Sequence, residues 1–158
     1  MGTLSNYNDP LLGFRVSKTG NLADGSGTDN LFTVTGRCLI THFSGQVKTV
    51  IGGAATLKIR DITNSVDLCA ATTIDTDAVG TMYSLTSITG NILNGTGATP
   101  VIGSVPNITG ASSMPMAIVG TSTPSTLAQV LDAADTGEIE WVLFYKPLTA
   151  SSSIKAAA

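Results

Sequence analysis

Few residues in this chain are equipped for chemistry, and their spacing limits what they could do. His42 is the single histidine. General-base or triad chemistry needs it beside a nucleophile, and no Gly-x-Ser-x-Gly elbow is present, so a structural or surface role is expected. Glu138 and Glu140 sit two apart on an expected strand, which puts their carboxylates on one face about 7 Å apart. That separation could suit glycoside hydrolysis, yet two acids on one strand face are far more often solvated surface. The loops 24-DGSGTD-29 and 75-DTD-77 offer carboxylates to calcium, but lack the bidentate acid that closes an EF-hand loop. Cys38 and Cys69 have no metal-like spacing and read as two small apolar core thiols rather than a disulfide. The glycine runs GTG and GNILNGTG lack the strand-to-helix setting of a phosphate cradle. Sequons at Asn94 and Asn107 matter only on a eukaryotic secretory route, which nothing in the sequence supports. The expectation is a protein with no catalysis, no cofactor and no required metal.

Composition points the same way. The 158 residues suit one domain able to bury a core without disulfide staples. Charged residues make up 12%, about half the usual share, and the net charge is −3. No basic block is present, which argues against nucleic-acid binding through phosphate contacts. No apolar run reaches the roughly 18 residues that span a bilayer, so no membrane partner is expected. No secretory signal pattern opens the chain. With so little charge, either Thr and Ser hydroxyls wet the surface or partners cover much of it.

The elements expected to hold these residues are strands. Residues 1–30 are rich in turn formers around one apolar island, Leu11, Leu12, Phe14 and Val16. They read as an extended N-terminal arm carrying at most an edge strand. Those four side chains are the candidate contacts with a neighbouring subunit or a larger surface. In 31-LFTVTGRCLITHF-43, Phe32, Val34, Cys38 and Ile40 share one face, the period-2 mark of a half-buried strand. SGQ reads as a turn, with 47-VKTVI-51 returning as a hairpin partner. In 54-AATLKIRDI-62, Ala55, Leu57 and Ile59 alternate with polar residues. A Gly/Pro/Thr-rich excursion covers 94–125, with room only for short strands. Ser125 could cap a short helix over Thr126 to Ala134, because Leu127, Val130 and Leu131 fit one helical face. Near the end, 137-GEIEWVLFYKP-147 reads as a central strand. Ile139, Trp141, Leu143 and Tyr145 share its core face, with Trp141 and Tyr145 as core anchors. The expected fold is all-β, a β-sandwich or jelly-roll-like single domain over 31–158 preceded by the arm.

Three stretches carry a resemblance. LFTVTGRCLITHFSGQVKTVIGG, ATLKIRDITNSVDLCAATTIDTDAVGTMYSLTSITG and GEIEWVLFYKPLTASSSIKAAA resemble small structural proteins of tailed bacteriophages, and together cover most of residues 31–93 and 137–158. The shared pattern is a "VDLC"-like centre, an "AVGT-x-YS-x-T" strand, and an "I-x-W-x-L-x-Y-x-PL" strand before a small-residue tail. The resemblance implies a non-enzymatic virion protein, a capsid decoration (cement) protein. It would bind the major capsid protein on the outer surface of the head, after assembly in the host cytoplasm. Decoration at three-fold positions of a shell implies a homotrimer. A head-fibre, tail or carbohydrate-binding β-module is the alternative, and it should present an exposed aromatic platform.

Overall fold

The computed structural model describes residues 8–9, 11–22, 27–85 and 116–158; for 8–9 and 116–122 it describes the backbone alone. The described residues form ten strands and no helix. They are β1 (Asn8–Asp9), β2 (Gly13–Asn21), β3 (Thr28–Thr49), β4 (Ala54–Asp61), β5 (Val66–Asp67), β6 (Thr72–Asp75), β7 (Met82–Ser84), β8 (Met116–Leu131), β9 (Glu138–Pro147) and β10 (Ser153–Ala156). The expected all-β, sandwich-like architecture is present.

Every strand pairing is antiparallel, and β3 organises them. Along one edge of β3 run β9 and then β10; along the other run β7 and then β8. Strand β2 extends the sheet beyond β9, and β4 extends it beyond β8, with β5 and β6 on the far side of β4. β3 is 22 residues long and folds over, so that Phe32 and Phe43 on the same strand meet edge to face at 5.7 Å between ring centres. The two halves of β3 thus belong to two facing layers, and the core lies between them.

The bend has a local cause. Opposite β9, Ile40 pairs with Tyr145 and His42 with Phe144, which leaves Thr41 as an extra residue. One extra residue reverses which side chains face inward. Before it the alternating buried side chains are Phe32, Val34, Cys38 and Ile40; after it they are Phe43, Gly45 and Val47, with Leu31 and Ser44 buried besides.

Two expectations are corrected. Ser44-Gly45-Gln46 is not a turn: these residues pair with β7 on one side and β9 on the other, so β3 continues through them to Thr49. Thr126 to Ala134 is not a helix. Residues through Leu131 belong to β8, held between β3 and β4, and both neighbours satisfy the backbone that a helix would satisfy internally. Ser125 is buried and accepts a hydrogen bond from Asn64 Nδ2 at 2.7 Å instead of capping a helix. Within the arm expected over residues 1–30, Gly13–Asn21 is the edge strand it was expected to carry, pairing residue for residue with β9 from Phe14–Tyr145 to Asn21–Glu138. Its island is consumed in part by this pairing, since Val16 packs against the core. Of the excursion expected over 94–125, residues 116–125 lie in β8 and the remainder lies outside the described residues.

Candidate contact surface

The closing strand β9 divides its side chains as its sequence foretells. Ile139, Trp141 and Leu143 are fully buried and Tyr145 nearly so. Trp141 packs edge to face on Phe43 and stacks with Tyr83, at 5.6 and 6.2 Å between ring centres. Its Nε1 donates to Gln129 Oε1 across the core at 2.8 Å. Gln129 was invisible to sequence reasoning as a core residue, because a glutamine in a short apolar run signals surface.

The sequence-nominated chemical groups are dispersed and internally engaged. His42 Nε2 lies 3.1 Å from Ser44 Oγ, its ring packs on Phe144, and burial lowers its pKa from the usual imidazole value. Glu140 pairs with Lys48 at 3.0 Å, and Glu138 accepts from Thr49 Oγ1 at 3.2 Å. Cys38 and Cys69 are free and buried, and burial pushes both thiols up to about 11. No group of three or more His, Cys, Asp or Glu side chains among the described residues is placed to hold a metal ion. Asp24, Asn94 and Asn107 lie outside the described residues.

The 75-DTD-77 loop is engaged differently. Thr76 adopts a left-handed backbone (φ 51°), and Asp77 turns inward to accept from Tyr83 Oη at 2.6 Å. Burial first, then this hydrogen bond and the charges of Asp77 and Asp135, raise the Tyr83 pKa well above its ordinary value.

Charge is distributed by end. Where β3 finishes and β9 begins, Thr49 faces Glu138, Asn21 N donates to Asp29 Oδ2, and Thr56 N donates to Asp132 Oδ1. That last bond holds the Asp132 carboxyl below the usual range. Asp75 pairs with Ala54 in the same region. Ile51 N donates to the Asp77 carbonyl, and Asp135 N to the Leu22 carbonyl, which tie both buried acids to this end. Asp135 Oδ2 is itself buried without a hydrogen-bond partner among the described residues. Val50 and Val79, each about half exposed, stand among these acids.

The opposite end, about 25 Å away along β9, carries Arg15, Arg37 and Lys146 on β2, β3 and β9. Here the island reaches solvent. Leu11 is 83% exposed and Phe14 37%, with the Phe14 ring against Tyr145 at 5.8 Å. Leu12 is half-buried, its carbonyl accepting from Thr41 Oγ1. Leu148 is also half exposed, its N–H bonded to the Arg37 carbonyl. Of the four nominated contact residues, the structure therefore leaves Leu11 and Phe14 exposed and half-buries Leu12 and Val16.

No protein-family model matches the chain, and neither a curated protein nor a solved structure matches it.

Proposed function

We propose that the chain is a non-enzymatic virion structural protein that binds the outer surface of a phage head and stabilises it. The observation that carries this reading is the exposed pair Leu11 and Phe14, on a domain whose Phe32, Phe43, Tyr83 and Trp141 are closed into a core. A side chain of that size gains about 1.5–3 kcal/mol when fully buried against a partner. The resemblance of three stretches to phage structural proteins supplies the kind of partner, the major capsid protein, and implies three-fold assembly. Trp141 is fully buried, which removes the one tryptophan from any glycan-binding platform and weighs against the carbohydrate-module alternative.

The test is binding to empty heads of the phage that encodes the chain. Leu11→Ser/Phe14→Ser is expected to melt close to the parent and to bind heads at least about tenfold more weakly, the equivalent of about 1.4 kcal/mol. Full binding and full heat protection by that variant would remove the basis for the reading.

A further inference from the structure

Five of the six large apolar side chains exposed among the described residues stand at the two ends of the molecule. Val50 and Val79 stand at the acidic end; Leu11, Phe14 and Leu148 stand at the basic end. The sixth, Val66, opens β5 opposite Asp61. Val50 and Val79 thus stand among acids, whereas Leu11, Phe14 and Leu148 stand at an end where Arg15, Arg37 and Lys146 outnumber Asp9, whose backbone lies across from Gly13.

The acidic end holds Asp29, Asp75, Asp132 and Glu138 near the surface, and Asp77 and Asp135 beneath them. Lys48, near this group, is already paired with Glu140. Like charges gathered within a Debye length, about 8 Å at physiological ionic strength, raise one another's energy. A partner surface bearing cations and apolar side chains relieves that repulsion and covers Val50 and Val79. The chain carries such a surface on its own far end.

We propose that copies of this chain associate head to tail, the acidic end of one against the basic, apolar end of the next. Val50 and Val79 then cover Leu148 of the neighbour, leaving Leu11 and Phe14 for the head, while Asp75 and Glu138 face Arg15, Arg37 or Lys146. Such a contact is heterologous: every copy uses two different surfaces, and the assembly closes into a ring when the rotation per contact divides a full turn. The contact places no demand on a phage head, so its test is separate from that of head binding.

The experiment is sedimentation velocity of the full chain at tens of micromolar, at low and at moderately high salt. Self-association is expected at low salt, with the dissociation constant rising about tenfold or more at high salt, as screened charge requires. Two charge-reversal variants locate the contact. Asp75→Lys/Glu138→Lys cancels the surface charge of the acidic end, and Arg15→Glu/Lys146→Glu makes both ends acidic; each alone is expected to remain monomeric. Mixed in equal amounts, they are expected to co-sediment as hetero-oligomers, a recovery that misfolded proteins do not give. A monomeric parent at low salt, or reversal variants that each associate as the parent does, would overturn the proposal. Association abolished by a chelator and indifferent to both reversals would assign the acidic end to a divalent cation and also overturn it.

Discussion

Trp141 Nε1 and Gln129 Oε1 meet at 2.8 Å inside the core, each residue fully buried and on opposite layers of the fold. Gln129 Nε2 in turn donates to the Asn21 carbonyl at 3.2 Å, so one glutamine ties β8 to both β9 and the end of β2. Gly20 leaves room for it, since a Cβ there would lie 2.5 Å from Gln129 Oε1.

Gln129→Ala is expected to cost more than the lost bond. It strands a buried indole N–H, at about 1–3 kcal/mol, and opens a cavity. Trp141→Ala is expected to cost about 3–5 kcal/mol. Urea unfolding of both single variants and the double variant measures the coupling. The double variant should fall short of the sum by at least about 0.5 kcal/mol, because the two side chains share one contact. Strict additivity would show that the bond contributes nothing.

Deleting residues 1–19 is expected to destabilise the domain, not merely to trim it. The cut removes Phe14, Val16 and Lys18, which pair across from Tyr145, Leu143 and Trp141, and leaves most of one edge of β9 open. Thermal unfolding followed by tryptophan fluorescence should show a lower midpoint and a red-shifted Trp141 signal before unfolding. A truncated chain with the parent's midpoint and spectrum would mean that β2 adds nothing to the closure of the core.

Stability is expected to decline on both sides of neutrality. In the unfolded chain the two thiols ionise near 9.0, whereas in the folded chain they hold their protons to about 11. Between those values only the unfolded state sheds protons, so rising pH favours unfolding, and the raised Tyr83 extends the effect further. On the acid side, His42 takes up a proton less readily when folded, so stability falls as pH drops below about 6.5. Melting temperatures from pH 5 to 11 should trace a plateau with two shoulders. Cys38→Ala should soften the alkaline shoulder and His42→Gln the acidic one; shoulders unchanged in these variants would place the linked protons elsewhere.

β9 was legible because its period-2 pattern is unbroken from Glu138 to Lys146, and β4 for the same reason. β3 was only half legible. The bulge at Thr41 shifts the buried set from even to odd positions, which mimics the end of one strand and the start of another. Gly45 then looks like a turn residue, although its role is steric: a Cβ there would lie 2.7 Å from Trp141 Cε3. In β8 the buried run Leu127, Ala128 and Gln129 has no clean alternation, so helical spacing matched it equally well. The exposed end residues could be nominated from composition, as Leu11 and Phe14 were. The gathering of acids could not, because it joins loops that only the long-range strand pairing brings to one end.

The doubling of β3 has a consequence for how the chain is made. Its first half waits for β8 and β10, its second half for β7 and β9, and β2 has no sheet neighbour of length until β9 exists. On a ribosome, then, the amino-terminal third emerges with its apolar faces bare and nothing to pair with. Loop closure over such sequence distances is slow, and unpaired strand edges invite wrong partners meanwhile. Newly made chains are therefore expected to lean on holding chaperones until Glu138 and the residues after it are released, when β9 and β10 can seal one whole flank of β3.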